Sequence, residues 1–252
     1  MGRRGDNIMD HMPGVIDAVK RAYLDVRDIY EHLGNLAIMA LGLALVVTAI
    51  GFFLFGSGAT LSGQLIRLVM RIAFGLVLAP YIIAAHRFII LGEVTTRYDL
   101  APGDPRFQRF FGWTVVFALI SAIPAVVPSI LSLPGVLHAV LTIGLAIGVV
   151  IVILRLFIIL PAVAVDSDRV TWQNAMADTA GYAGRIFLIG LAAALPVGIA
   201  AAIPAAFFAS FGVSLLTLVG ALIQGAAGVI IASLMVAIAS RAYESLADRV
   251  RA

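Results

Sequence analysis

Arg87 and Arg155, with His86 beside the first, each close a long apolar run. At that depth the headgroup region of a bilayer would meet the acyl chains. A guanidinium fork matches the oxygens of a phosphate group. One reading is therefore a site for an anionic lipid or another phosphate-bearing ligand. Arg241, at the end of the last apolar run, is a further candidate contact. The competing reading is that these side chains snorkel to the headgroups and bind nothing specific. Charges at membrane depth are functional candidates by default. The anchor reading needs no ligand, and it is preferred.

The other polar candidates point to structure before chemistry. Glu93 follows Arg87 by one and a half helical turns and is expected to pair with Arg87 or Arg97 at the membrane rim. Asp166-Ser167-Asp168 has the form of a metal-binding Asp-x-Asp. No partner carboxylates accompany it, so Asp168 is expected to cap the helix that follows. Gln224 is an amide in the middle of an apolar run. It either lines a polar path or bonds a neighbouring helix, and the second is expected. Gly144 and Gly148, spaced as Gly-x-x-x-Gly, and Gly225 and Gly228 would let other helices approach closely. Pro80, Pro124, Pro128, Pro196 and Pro204 interrupt apolar runs. Broken helices build transport sites in some proteins, but proline is also tolerated in membrane helices.

No catalytic signature is present: no Gly-x-Ser-x-Gly, no His-Glu-x-x-His, no phosphate-binding loop. There is no cysteine, and His11, His32, His86 and His138 lack metal-ligand spacing. The expectation is no catalytic residue, no metal and no cofactor.

The elements that must carry these residues follow from composition. Of 252 residues, 62% are hydrophobic and 12% charged, and the mean hydropathy is +1.07. A soluble domain carries about 25% charged residues, and no soluble fold of this length could bury so much apolar surface. The class is all-α, a polytopic transmembrane bundle. Runs of roughly 20 apolar residues mark spans: Leu36–Phe55, Ile66–Leu91, Phe110–Leu131, Leu137–Leu160, Ile186–Phe208 and Val213–Ile238. Gly56-Ser57-Gly58, Ser132-Leu133-Pro134-Gly135 and Ser210-Phe211-Gly212 separate them. The six spans read as three hairpins. Pro13–Leu33 and Val170–Tyr182 read as interfacial amphipathic helices. In the first, Asp17, Lys20, Arg21, Asp25, Asp28 and Glu31 fall largely on the polar side. It lies in the headgroups or packs on the end of the bundle. The division is a segment 1–35, a membrane domain 36–240 and a short tail 241–252.

Arginine placement sets the expected orientation. With the N-terminus inside, Arg3, Arg4, Arg97, Arg106, Arg109, Arg169, Arg185 and every acidic residue fall on the cytoplasmic side. Only Arg67 and Arg71 approach the outer side. Both termini are expected in the cytoplasm. Gly2 lacks a myristoylation context, and no cleavable leader is expected before the first span. The net charge of +3 reads as contact with anionic membrane lipids, not nucleic acid. Arginine-rich, Ala- and Gly-rich usage suggests a bacterial source, hence the inner membrane.

The even-numbered spans end alike, in His86-Arg87-Phe88, Arg155-Leu156-Phe157 and Arg241-Ala242-Tyr243. Arg109-Phe110-Phe111 and Arg185-Ile186-Phe187 open two of the odd ones. An old duplication of one hairpin would produce this, and so would convergence on arginine-plus-aromatic ends. The stretch Arg155-Leu156-Phe157-Ile158-Ile159-Leu160-Pro161-Ala162, a polar amphipathic segment and Gly184-Arg185-Ile186, with Arg241-Ala242-Tyr243-Glu244-Ser245-Leu246, resembles the membrane domain found beside some glycerophosphoryl diester phosphodiesterases and the related YciC-like family. The resemblance covers about half of the chain. It implies a six-span bacterial inner-membrane protein. No soluble catalytic domain follows, so hydrolysis is not expected. The functional expectation is a non-enzymatic inner-membrane protein, an accessory or organising subunit that meets lipids and other membrane proteins. The alternative is a transporter or lipid-handling protein with an inner-leaflet cavity lined by Arg87, Arg155 and His86.

Overall fold

A computed structural model describes residues 13–54, 61–131, 133–210 and 214–251. The turns at Gly56-Ser57-Gly58, Ser132 and Phe211-Gly212, and the residues Gly2, Arg3, Arg4 and His11, lie outside the described residues. Among the described residues every regular element is a helix: α1 (Val15–His32), α2 (Gly34–Leu54), α3 (Leu61–Leu91), α4 (Pro105–Ile130), α5 (Gly135–Leu156), α6 (Ile159–Ala164), α7 (Trp172–Asp178), α8 (Ala183–Ser210), α9 (Ser214–Leu246) and α10 (Asp248–Arg251). Six stretches are long and apolar enough to cross a membrane. The chain is a multi-pass helical membrane protein. Its long helices are apolar on all sides, and Ile38, Val136, Ile143 and Ile203 stand open on the outer surface. Only hydrocarbon makes such a surface favourable.

Several boundaries differ from those expected. The third span begins at Pro105, not Phe110. Asp104 accepts the amide of Arg106 at 2.9 Å, and Pro105 occupies the first turn, where its missing N–H costs nothing. The fourth run breaks after Leu156 and resumes as α6. Pro161 removes a backbone donor there, and its ring opposes the carbonyl of Phe157. The sixth span runs past Ile238 to Leu246. The second amphipathic segment is helical only over α7. Its cap is Thr171, whose hydroxyl accepts the amide of Asn174 at 3.2 Å. Asp168, expected as that cap, is instead exposed, three residues too early to reach the first free amides.

Two helices form the centre. α3 and α9 run parallel, in register: Tyr81 meets Ser233 at 2.7 Å and His86 meets Ser240 at 2.8 Å. The pairs α2–α3, α4–α5 and α8–α9 are the three hairpins. α2 lies against both central helices, α8 against α9, and α4 against α3, while α5 sits at the edge. α6 is buried beneath one end of the bundle, where Ile159, Ala162 and Val163 join Phe107, Phe110 and Tyr243.

α1 packs on the bundle. Ala22, Val26 and Ile29 fall on one face at helical spacing. The first two meet Ile189, Ala193 and Leu234 of α8 and α9. Tyr23 donates to the carbonyl of Ala193 at 2.8 Å, and Tyr30 contacts Ser233 at 3.1 Å. Asp25, read as polar-side, is in fact buried on this same face. α1, α10 and segments 92–104 and 165–171 share one end of the bundle, here called the terminal face; the other is the far end.

The glycines divide. A Cβ on Gly225 would stand 2.6 Å from Oγ1 of Thr48 in α2, and one on Gly228 would touch Phe74 of α3 at 3.4 Å. These two are close-packing positions. At Gly144 and Gly148, by contrast, nothing lies within 4 Å among the described residues. They face outward because α5 is the edge helix, a placement its own pattern does not encode.

Candidate functional site

The acidic residues and most of the arginines gather at the terminal face because the chain returns there after every hairpin. Pro80 interrupts the α3 hydrogen-bond ladder. The carbonyl of Val77, one turn earlier, accepts the hydroxyl of Tyr98. Tyr98 belongs to the 92–104 segment, which is thereby folded back along α3. Gly92, at a φ of 71°, makes the turn that starts this return. Burial raises the Tyr98 phenol above its ordinary range.

That return encloses a polar pocket of about 260 Å³. Arg87, Arg97 and Arg106 line it beside Glu93, Asp99 and Asp104. Arg87 grips Glu93 with two hydrogen bonds of 2.7 Å, the pairing expected for Glu93. It also donates to the carbonyl of Ala164 at 2.9 Å and stands 3.4 Å from the carboxylate of Asp166. Asp166 is the hub. Arg106 donates to it at 2.8 Å, and Arg109 lies 3.4 Å away. The hydrogen bond from Arg106, with the charges of Arg106, Arg87 and Arg109 around it, holds the Asp166 carboxyl below the usual range, against the opposing effect of burial. Asp166 has a φ of 55°. Aspartate tolerates this left-handed conformation better than most residues. The turn is fixed by the end of α6, so the short buried helix aims this carboxylate at three arginines.

The same face is tied together elsewhere. Ser167 contacts the Tyr243 hydroxyl at 2.5 Å, and Asp178 accepts the amide of Val250 at 3.0 Å. Arg185 donates to the carbonyl of Pro13 at 2.7 Å. Loops, tail and α1 thus form one polar layer.

The proposed phosphate contacts do not come together as one open site. His86 is fully buried between α3 and α9, with Nδ1 2.8 Å from the Ser240 hydroxyl. The parallel register of the two central helices turns it inward, away from solvent. Arg155 donates to the carbonyl of Met176 at 2.5 Å, and Thr179 donates to the Arg155 carbonyl at 2.7 Å. Its Nε is buried with no acceptor among the described residues. Arg241 donates to both oxygens of Asp25, at 2.9 and 2.7 Å, and to Glu244 at 2.8 Å. Only Arg87 of the expected group faces the polar pocket. Gln224, expected to bond a neighbouring helix, is exposed at the far end and has no hydrogen bond among the described residues.

Sequence reading missed Asp25, Arg106 and Asp166 as partners. For Asp25 a signal existed: it falls with Ala22, Val26 and Ile29 on the apolar stripe, where an unpaired carboxylate would be costly. Asp166 had none, since its partners come from three other segments. Among the described residues no group of three or more His, Asp or Glu side chains converges as metal ligands would. Compared with family models, curated proteins and solved structures, the chain matches none.

Proposed function

We propose that this chain is a non-enzymatic integral protein of the bacterial cytoplasmic membrane, with both termini inside, that acts as an accessory or organising subunit of a membrane complex. One observation carries the reading. The basic groups that would have lined a transport cavity are engaged within the chain: Arg87 by the carboxylate of Glu93, Arg155 by the carbonyl of Met176 and His86 by the hydroxyl of Ser240. A guanidinium held by carboxylates on two sides, as Arg87 is by Glu93 and Asp166, serves to fix helices and is poorly available to a passing solute. The long apolar helices leave broad outer surface, and α5 in particular offers Gly144 and Gly148 without a partner in this chain, a surface a partner helix could approach closely.

The test is cross-linking from that edge. Ile147→Cys on the exposed face of α5, in cells and then in mild detergent, should trap one membrane protein at fixed stoichiometry. A chain that traps nothing and runs alone, yet moves lipid or solute in proteoliposomes, would replace this reading by the second one. That alternative, a transporter or lipid-handling protein, draws on the terminal-face pocket. There Arg97 and Asp99 face the cavity with no ion pair among the described residues.

A further inference from the structure

At the far end, α2, α3 and α9 leave a cleft of about 690 Å³ between them. Its walls are apolar, from Val47, Phe52, Met70 and Phe74. Three polar side chains break them: Thr48, Arg71 and Gln224. The Thr48 hydroxyl is already committed to the Ala44 carbonyl at 2.8 Å. Arg71 and Gln224 are both exposed, and neither has a hydrogen bond or ion pair among the described residues. Arg67, one helical turn before Arg71 and likewise exposed and without a partner among the described residues, adds a second positive charge on the same face of α3.

No carboxylate is available to these arginines. The sequence has no acidic residue between Glu31 and Glu93 or between Asp178 and Glu244, so α2, the cleft part of α3 and the far half of α9 contain none. The parallel register of α3 and α9 sets Arg71 and Gln224 at one level, as it does Phe74 and Gly228 one turn on. The rise from Arg71 to Arg87 is about 24 Å at ~1.5 Å per residue. A hydrocarbon core is about 30 Å thick. When Arg87 and Arg241 mark one boundary, Arg71 and Gln224 fall just inside the other. There the ester and phosphate groups of a lipid lie directly above its acyl chains.

We propose that this cleft binds an anionic phospholipid of the far leaflet. Arg71 takes a phosphate oxygen as a charge-assisted donor. Gln224 donates its amide N–H to a second phosphate or ester oxygen. The apolar walls, from Val47, Phe52, Met70 and Phe74, hold the upper part of an acyl chain. Arg67 selects net negative charge, because a zwitterionic headgroup brings its own cation against that arginine. This site is independent of any subunit role and lies at the opposite end of the bundle from the terminal-face pocket.

The experiment uses the full chain in nanodiscs of phosphatidylcholine mixed with phosphatidylglycerol, released in native mass spectrometry. The expected result is one retained phosphatidylglycerol per chain, surviving excess inorganic phosphate. Arg71→Gln together with Gln224→Leu should lower its retention about tenfold, the scale of one or two hydrogen bonds to a charged group. Equal retention of both lipids by the unaltered chain would overturn the proposal without any variant. So would release by inorganic phosphate, which would make the site one for a free anion. Undiminished retention in the double variant, with its thermal unfolding unchanged in phosphatidylcholine alone, would overturn it too.

Discussion

The carboxylate of Asp25 on α1 and the guanidinium of Arg241 on α9 form a two-pronged ion pair, at 2.7 and 2.9 Å, across 216 positions of sequence. Asp25 is almost fully buried, and Arg241 is one-third exposed. Tyr23 and Tyr30 flank the pair on α1 with hydrogen bonds to α8 and α9. The pair therefore adds a charged link to the apolar packing that seats this amphipathic helix on the bundle.

Removing either partner should release α1. Asp25→Ala is expected to cost about 2 kcal/mol, the scale of hydrogen bonds to a charged group, reduced by the solvent that reaches Arg241. Amide exchange in α1 should rise sharply while α3 stays protected. The swap Asp25→Arg with Arg241→Asp should recover part of the loss. If the single variant leaves α1 as protected as before, the pair does not hold the helix.

Asp166 should make stability depend on acid. Its folded carboxyl titrates below the ordinary aspartate value of about 3.9. Its contribution is thus complete above that value and is lost as pH falls through the lowered one. Asp166→Asn keeps a residue that accepts the left-handed backbone and removes the charge. Thermal unfolding should show the variant weaker at about pH 7, with the gap narrowing as the pH falls below the ordinary aspartate value of about 3.9. A gap that is constant over this interval would rule out the charge as its origin.

The two glycine pairs should respond oppositely. Gly225→Ala places a methyl group 2.6 Å from Thr48 Oγ1. Overpacking of this kind costs about 1–3 kcal/mol, and Thr48→Ala should relieve it. Gly144→Ala meets open space and should leave the unfolding temperature of the isolated protein unchanged or slightly raised, given the better helix propensity of alanine. Equal losses at both positions would contradict the placement of α5 at the edge.

The membrane orientation is testable because the chain has no native cysteine. Leu137→Cys lies exposed at the far end and Thr96→Cys on the terminal face. An impermeant maleimide added to intact cells with permeable outer layers should label the first. The second should react only after lysis. The reverse pattern would place the arginine-rich face outside, against the positive-inside bias.

The sequence by itself determined the solvent of this protein. Its apolar runs exceed what a soluble core of this size can bury, so the number of spans, their helical form and the gathering of acids at one end followed from composition and spacing alone. That Glu93 would pair with a nearby arginine was also legible, because both candidates are its neighbours in sequence, and the structure selects Arg87 over Arg97. The tertiary structure decided which face of each helix meets protein and which meets lipid. In hydrocarbon both faces are equally apolar, so no periodicity distinguishes them. Gly144 and Gly225 look alike in sequence, yet only the second touches a neighbour. His86 and Arg87 are adjacent, yet one is sealed against Ser240 while the other reaches Glu93 and Asp166. Those distinctions depend on the register of α3 against α9 and on where α6 ends, and register between apolar helices is set by the packing of small residues and a few buried polar contacts.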